Sequence, residues 1–267
     1  MYEVDYRRPT SIEAAAHLLA STGGRPLAGG QTLVSAMKLR LAQPGTLVDL
    51  GAIPELRGIR REGDTIVIGA SMRHAEVAAS EEVNRAIPAL ARLAGGIGDR
   101  QVRNMGTMGG SVANYDPAAC YPCGVLGLGG MVRTNRRAMP AEAFFRGMYE
   151  TALEEGELIT AIAFPIPRRA GYIKFKQEAS RFALVGVFVA DTHGGVRVAV
   201  TGAGAGIFRA TAIERALSAS FTPEAAKAVK VSPEGLSSDL HADAEYRAHL
   251  VSVMAGRAVA QALEVAP

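Results

Sequence analysis

Several features of common protein classes are scarce or missing in this 267-residue sequence. It has no tryptophan and only two cysteines, which is too few for a disulfide framework or for the four thiolates of an iron–sulfur cluster within one chain. Its longest apolar run, residues 182–190, falls well short of the roughly 18 residues that a membrane-spanning helix needs. The start, Met1 to Asp5, lacks the basic and apolar regions of a secretory signal. We therefore expect a cytoplasmic protein with no membrane span.

Charge of one sign is also lacking. Basic residues number 29 and acidic residues 26, for a net charge of +3. The arginine pairs at 60–61, 136–137 and 168–169 fall in separate expected turns and form no continuous basic surface. This distribution predicts solvated surface and no nucleic-acid partner.

Residue groups that carry chemistry of their own are missing as well. The five histidines show no zinc-ligand spacing, and no Ser/His/Asp grouping is legible, so the sequence predicts neither a metal site nor a catalytic residue. For His74 a packing or capping role is expected. The histidines are His17, His74, His193, His241 and His249.

Glycine, by contrast, is abundant, with 30 residues. Glycine lets the main chain adopt positive φ angles and approach a ligand closely, and neighbouring Thr, Gln and Ser add donors. Two such loops that converge can hold a pyrophosphate with backbone N–H groups and no dedicated lysine. The alternative interpretation is that both glycine segments are ordinary turns, which are common at this glycine content. The two segments are Ala28-Gly29-Gly30-Gln31-Thr32-Leu33 and Thr107-Met108-Gly109-Gly110-Ser111.

The motifs around both segments occur in a fixed order along the chain. With them, the sequence resembles the flavin-binding medium subunit of the molybdenum hydroxylases over nearly its whole length. Six ordered motifs are far more specific than any one alone. They read AGGQTL, MKLRLAQP, VDL, IGASMRHAEV, GDRQVRNMGTMGGSVANYDPAA, and a C-terminal set beginning FALVGV and VAVTGAG.

The resemblance implies an α+β fold with two domains. Residues 1–167 would form a two-lobed FAD-binding domain of the p-cresol methylhydroxylase type, with lobes at about 1–55 and 56–167. Residues 168–267 would form a small α/β C-terminal domain of the carbon monoxide dehydrogenase flavoprotein type. Pro165, Pro167 and the arginine pair that follows have the character of a domain junction.

The resemblance also implies where FAD binds, with the two glycine segments on its diphosphate. Lys176 matches a family lysine near the flavin, where a cation favours the anionic reduced ring; an edge-strand lysine is the alternative. Ile97 and Ile159 match apolar family positions, for which core packing is an equally good account. The expected cofactor-binding residues are Ala28, Gly29, Gly30, Gln31, Thr32, Leu33, Ile97, Thr107, Met108, Gly109, Gly110, Ser111, Asp116, Ile159 and Lys176.

The implied function is electron transfer within a complex. In this family a large subunit oxidises the substrate at a molybdenum cofactor, and a small subunit carries two [2Fe–2S] clusters. Electrons would reach FAD in this chain and leave to an external acceptor, in a heterotrimer or its dimer. The alternatives are a self-contained FAD-dependent oxidase of the same fold, for which about 100 residues after the junction leave little room, and a scaffold that retains FAD without electron transfer.

Two other motifs have several interpretations. Cys120-Tyr121-Pro122-Cys123 has C-x-x-C spacing, which is compatible with redox chemistry or metal binding, but we expect both thiols to be buried apolar packing groups. Cys120 stands where the family commonly has the second aspartate of D-P-A-A-D, a residue that contacts the cofactor. The segment Thr201–Ile207 imitates a nicotinamide-binding turn, but Ile207 occupies the third glycine position of G-x-G-x-x-G. For this segment we expect a structural connection.

Hydrophobic periodicity and turn residues also predict the secondary structure. Residues 10–13 have capping-box spacing before the first helix. The predicted helices are 14–19, 73–79, 82–94, one from Pro117 onward, 209–219, 223–229 and 245–263. The predicted strands are 25–28, 47–50, 65–69, 131–134, 158–164, 172–176, 182–191 and 196–201.

Overall fold

The computed structural model describes residues 1–264, and its backbone forms three main sheets with helices packed between them. The strands are β1 (Asp5–Arg7), β2 (Arg25–Leu27), β3 (Thr46–Asp49), β4 (Ile59–Glu62), β5 (Thr65–Gly69), β6 (Met131–Thr134), β7 (Ala138–Pro140), β8 (Phe145–Gly147), β9 (Glu150–Thr151), β10 (Ile159–Pro165), β11 (Arg169–Lys176), β12 (Ala183–Thr192), β13 (Gly195–Thr201) and β14 (Phe208–Arg209). The helices are α1 (Ile12–Thr22), α2 (Leu33–Lys38), α3 (His74–Ala79), α4 (Glu81–Ala86), α5 (Pro88–Gly95), α6 (Arg100–Met105), α7 (Met108–Asn114), α8 (Cys120–Leu128), α9 (Ala141–Phe144), α10 (Thr211–Ala219), α11 (Pro223–Lys227) and α12 (Ala244–Glu264). The predicted α+β class is confirmed.

The first sheet is small and parallel, with the order β1-β3-β2. Helix α1 begins where the Ser11 side chain accepts a hydrogen bond from the Ala14 N–H at 3.2 Å, and it ends at Gly23 with φ 62°. It buries Leu19 against Val48 of the central strand. The first glycine segment follows β2 directly, so the carboxyl edge of this sheet positions it.

The second sheet is antiparallel, with the order β4-β5-β10-β6-β7. Its inner face carries Ile66, Ile68, Ile162 and Phe164, all buried in the largest apolar cluster. Helix α7, which contains the second glycine segment, begins beyond the end of β5. This sheet therefore positions the second segment, just as the first sheet positions the first.

The third sheet is antiparallel, with the order β11-β12-β13-β14. Strand β12 is buried on both faces. Val185, Val187 and Val189 belong to the apolar cluster shared with α12, whereas Phe188 and Ala190 belong to the cluster that contains α8. Burial on both faces explains why the longest apolar run of the sequence is a strand of this sheet.

Helix α8 lies at the centre of the molecule, and all nine of its residues are buried. Two glycines let it approach its neighbours closely. A Cβ at Gly127 would lie 2.9 Å from a ring atom of Phe188, and one at Gly124 would lie 3.0 Å from a methyl group of Leu93. Helix α8 also contacts β10 of the second sheet, so its position is set by α5 and by the second and third sheets.

Several predicted boundaries differ from the structure for local reasons. The helix predicted at 82–94 is two helices, because Pro88 cannot donate the backbone hydrogen bond that a continuous helix needs there. The helix predicted from Pro117 starts later, because the Asp116 carboxylate accepts a bond from the Ala118 N–H at 2.8 Å and holds a turn. Within residues 1–264, no helix is both long and apolar enough to cross a membrane.

The helix predicted at 14–19 is longer at both ends and runs from Ile12 to Thr22, and other boundary differences lie in the C-terminal third of the chain. The strand predicted at 172–176 starts at Arg169, which pairs with Asp191 of β12. The helix predicted at 209–219 starts at Thr211, because residues 208–209 pair with β13 instead. The predicted helix at 245–263 is α12, one residue longer at each end.

The packing of α12 on β11 yields a stability test at Gly171. A Cβ there would overlap the Ala258 carbonyl oxygen and lie 2.9 Å from its carbon, so Gly171→Ala must push the helix off the sheet. We expect the substitution to lower the free energy of unfolding by about 1–3 kcal/mol, measured by urea unfolding. The matched control is Gly194→Ala, at an exposed turn where the nearest atom would be 3.8 Å away. Equal effects at the two positions would contradict the close contact.

Candidate functional site

A cavity of about 760 Å³ runs between the two glycine segments and reaches the third sheet. Its volume lies within the range of sites for cofactors and other small molecules. Met108 and Lys176 are the only two expected cofactor-binding residues that do not line it. Those that do are Ala28, Gly29, Gly30, Gln31, Thr32, Leu33, Ile97, Thr107, Gly109, Gly110, Ser111, Asp116 and Ile159.

The two glycine segments meet at Gly29. A Cβ there would overlap the Met105 carbonyl oxygen and lie 2.7 Å from the Gly106 Cα, so at this point the two stretches of backbone touch with no room for a side chain. A Cβ at Gly110 would lie 3.8 Å from the Ala28 Cβ. The convergence that the sequence analysis required is therefore a feature of the fold.

The first segment presents a row of backbone donors to the cavity. The N–H groups of residues 29–33 form no hydrogen bond with any other part of the described chain, and all five residues line the cavity. Gly30 has φ 69°, which turns the chain so that α2 begins immediately afterwards. Unpaired N–H groups at a helix start attract anions. This arrangement fits a diphosphate.

The second segment works differently from the expectation of a second backbone-donor loop. The Met108 N–H donates to the Met72 carbonyl at 3.0 Å, and the Gly109 N–H donates to the Ala70 carbonyl at 2.8 Å. The Gly110 N–H donates to the Thr107 hydroxyl oxygen at 3.2 Å. Because these three donors are already engaged, residues 108–110 offer no row of free amides.

Packing also explains why the second segment has methionine at position 108 and glycine at position 109. The Met108 side chain is fully buried in the main core. A Cβ at Gly109 would lie 2.6 Å from the Ala70 Cβ, so glycine is required where α7 meets the end of β5. The second segment adds Thr107, Ser111 and the small surfaces of Gly109 and Gly110 to the cavity wall.

The lysine that reaches the cavity is Lys174, which the sequence analysis did not single out. Its Nζ donates to the Arg181 carbonyl at 2.7 Å and lies 3.5 Å from the Cys120 sulfur. Lys176 is half-exposed and pairs with Glu178 at 3.6 Å. A register shift between Phe175 and Lys176 interrupts the β11–β12 pairing, and a bulge of this kind redirects the side chains beyond it.

The 116–120 turn forms another part of the wall. Besides its bond from Ala118, the Asp116 carboxylate accepts a hydrogen bond from the Tyr149 hydroxyl at 3.1 Å. Cys120 follows at the start of α8, lines the cavity and is nearly buried. The position that carries an acidic side chain in the family motif thus carries a thiol within reach of the cavity.

His74 packs beneath the second segment. Its backbone N–H donates to the Gly106 carbonyl at 3.0 Å, and its ring lies 5.3 Å from the Tyr121 ring. Burial, followed by the nearby Arg103 charge, lowers the pKa of His74 to about 4. The side chain is therefore a neutral packing group at pH 7, consistent with the role expected for it.

Glu157, which also lines the cavity, was not identified from the sequence. Its carboxylate accepts bonds from Arg137 at 2.9 and 3.0 Å and from the Thr134 hydroxyl at 2.7 Å. The Arg137 hydrogen bonds are the main reason that the pKa of Glu157 falls to about 2. No local motif marks this residue, because its partners lie about 20 positions away in the chain.

The segment Thr201–Ile207 does not line the cavity and instead joins the third sheet to the 115–119 stretch. The Gly202 N–H donates to the Pro117 carbonyl at 2.9 Å, and the Ile207 N–H donates to the Tyr115 hydroxyl oxygen at 3.1 Å. The structure thus agrees with the structural role expected for this segment.

Comparison with protein families identifies relatives over nearly the whole chain. Residues 2–167 match the family described as the FAD binding domain in molybdopterin dehydrogenase. The chain is 36% identical over 280 residues to the carbon monoxide dehydrogenase medium chain of Hydrogenophaga pseudoflava, covering 98% of this chain and 96% of that relative. It is also 36% identical over 274 residues to the nicotine 6-hydroxylase medium subunit of Paenarthrobacter nicotinovorans, with 97% of each covered.

Solved structures give the same result for the fold. A structure of carbon monoxide dehydrogenase from Hydrogenophaga pseudoflava, which lacks the Mo-pyranopterin moiety, matches with a TM-score of 0.89 and 35% identity over 100% of this chain and 99% of that one. Quinoline 2-oxidoreductase from Pseudomonas putida 86 matches with a TM-score of 0.88 and 27% identity, covering 99% and 98%. The similarity therefore spans both the glycine segments and the third sheet.

The Glu157 contacts predict a pH-dependent stability. The pKa is about 2 in the folded chain against an ordinary 4.5, so the ionised carboxylate stabilises the fold fully above about pH 4.5, and this stabilisation is lost as the pH falls toward 2. At most it amounts to about 3 kcal/mol. We expect Glu157→Gln to reduce stability at pH 7 and the difference from wild type to shrink between pH 5 and 2, measured by urea unfolding. The exposed Glu155→Gln is the control; a pH-independent difference for Glu157→Gln would contradict the assignment.

Proposed function

The chain belongs to the family of FAD-binding domains of molybdopterin dehydrogenases, and from that premise we propose that it takes electrons from the [2Fe–2S] clusters of a small partner subunit and passes them through FAD to an external acceptor. It is an oxidoreductase subunit with FAD as its cofactor. Its relatives include medium subunits of multi-subunit molybdenum hydroxylases. The proposal adds a large partner subunit with the molybdenum cofactor, assembly as a heterotrimer or its dimer, and a cytoplasmic location.

The observation that carries the proposal is the row of N–H groups at residues 29–33 that have no hydrogen-bond partner among residues 1–264 and lie beside the second segment in one cavity. These donors would bind the diphosphate, with the Thr107 and Ser111 hydroxyls beside them. Ile97 and Ile159 would give the cavity wall an apolar surface. When bound, FAD supplies reversible electron transfer at its ring system.

Lys174 takes the role that the resemblance implies for Lys176, because its ammonium group is the one that lines the cavity. A cation at this point would stabilise negative charge on a bound ring. Met108 would support the site from the core without touching the cofactor. The domain division after residue 167 is supported by the extent of the family match and by the start of the third sheet at Arg169.

The complex itself provides the first test of the function. Tagged and purified from its native source, the chain should bring down two further polypeptides with molybdenum and iron, and acid precipitation should release FAD into the supernatant. Release is expected because neither glycine segment contains the His or Cys needed for a covalent flavin bond. Metal analysis and chromatography of the flavin are the measurements. A chain that purifies alone and turns over a substrate would instead favour the self-contained oxidase, and bound FAD that substrate cannot reduce would favour the scaffold.

A second test places a charge at Gly110. Aspartate is favourable in the first turn of a helix, although a Cβ here would lie 2.9 Å from the Thr107 hydroxyl oxygen, which must shift, and 3.8 Å from the Ala28 Cβ. The substitution adds a carboxylate to the cavity wall beside the first segment. At about 4 Å and an effective dielectric of about 20, two unit charges repel by roughly 4 kcal/mol, or about three powers of ten in affinity. We therefore expect the purified variant to lack FAD, as measured by its flavin absorbance.

Gly45→Asp is the matched control for Gly110→Asp. Gly45 is exposed, and a Cβ there meets no atom within 4 Å, so this variant carries the same added charge away from the cavity and should retain FAD. If Gly110→Asp folds and keeps stoichiometric FAD, the assignment of the diphosphate to this cavity is wrong.

A further inference from the structure

The two cysteines of the chain occupy the first turn of one helix in the cavity wall. Cys120 is the first residue of α8 and lines the cavity, while Cys123 lies one turn later and is fully buried. The Cys123 thiol donates to the Ala199 carbonyl at 3.2 Å. A reagent that enters the cavity can therefore reach Cys120 but not Cys123.

The spacing of the two thiols allows a disulfide after a small movement. Residues three apart in a helix have Cβ atoms about 5–6 Å apart, and a disulfide needs about 3.5–4.5 Å. The required movement is confined to the first turn of α8, whose N–H groups form no bonds within the helix, while the rest of the helix and the turn before it stay held by their contacts. Pro122 has no N–H to lose.

The Cys120 sulfur lies beside positively charged and hydrogen-bond-donating groups. The Lys174 ammonium lies 3.5 Å away, and the start of a nine-residue helix carries partial positive charge. The Tyr172 hydroxyl is buried without a hydrogen-bond partner among residues 1–264. Burial, followed by the neighbouring Cys120 and Cys123 thiols, raises the pKa of Tyr172, so the hydroxyl stays protonated and can donate to an anionic sulfur.

From this geometry we propose that Cys120 and Cys123 form a thiol–disulfide couple in the wall of the cofactor cavity, oxidised by small hydroperoxides when the cavity is empty and protected when it is filled. The Cys120 thiolate attacks the peroxide, forming an S–O bond while the O–O bond breaks and hydroxide leaves. Burial raises the pKa of the Cys123 thiol, so this group attacks Cys120 as the thiol: the S–S bond forms, the S–O bond of the sulfenic acid breaks, and the hydroxyl leaves as water with the Cys123 proton. Together, two thiols and one hydrogen peroxide give one disulfide and two waters.

Protection by the cofactor follows from access to the sulfur, and this part rests on the proposed function. Cys120 is only 5% exposed, and its exposure is to the cavity, so bound FAD would cover it. With FAD at about 100 times its dissociation constant, about 1% of the chains are empty, and oxidation should be about a hundredfold slower than without FAD.

The test uses the full chain, stripped of FAD and then supplied with FAD at graded concentrations. After treatment with hydrogen peroxide, the remaining thiols are alkylated with N-ethylmaleimide under denaturing conditions, and the intact mass is measured. We expect the FAD-free chain to lose two hydrogens, to take up no maleimide and to recover both thiols with dithiothreitol. If the stripped chain unfolds, the rate is measured only at FAD concentrations around the dissociation constant, where it should follow the unoccupied fraction.

Two variants separate the roles of the thiols. Cys123→Ser should stop at the sulfenic acid of Cys120, trapped as a dimedone adduct, and Cys120→Ser should form neither an adduct nor a disulfide. Two free thiols after peroxide in a chain that binds FAD normally would overturn this inference alone, as would equal rates with and without FAD. A chain that does not bind FAD would overturn the proposed function instead.

Discussion

The candidate site depends on one contact between two stretches of backbone. Gly29 and the Met105–Gly106 peptide approach so closely that no side chain fits between them, and this brings the first sheet and the second sheet to opposite sides of one cavity. The second segment is fixed next to this contact, because the Met108 and Gly109 N–H groups donate hydrogen bonds to the Met72 and Ala70 carbonyls just after β5. A rigid second segment thus supports a first segment whose own N–H groups remain free for a ligand.

The third sheet completes the cavity through a chain of polar contacts between distant parts of the sequence. The Thr201 hydroxyl lies 2.8 Å from the Pro117 and Ala119 carbonyl oxygens. The buried Arg247 of α12 donates to the Leu184 and Gly202 carbonyls at 2.8 Å each. These bonds set the turn before α8 and bring Lys174 to the cavity beside Cys120. A chain lacking the third sheet would lose this part of the wall, which agrees with relatives that match across nearly their full length.

Much of the architecture follows from local sequence signals. The alternation and apolar runs located the central strands of all three sheets, whereas the short edge strands β1, β4, β7 and β14 were not predicted. The Ser11 cap and the glycine after Thr22 delimit the first helix. Two wrong helix predictions also have local causes. Pro88 divides residues 82–94 into two helices, and the Asp116 turn makes α8 begin at Cys120 instead of Pro117. Glu157 was not predicted from the sequence, because its carboxylate accepts hydrogen bonds from Arg137 and Thr134, which only the folded chain brings close to it.

The sequence by itself determined the family, the cofactor and the two glycine segments, because these are carried by short motifs whose residue types are visible without a fold. Tertiary structure decided which parts of those motifs are available to a ligand. The Met108 and Gly109 amides are engaged because β5 ends beside them. Lys174 rather than Lys176 lines the cavity, and a register shift interrupts the strand pairing between Phe175 and Lys176. Whether Cys120 faces a cavity or a core likewise depends on how α8 is held between two sheets, and such contacts between distant segments leave no local pattern in the sequence.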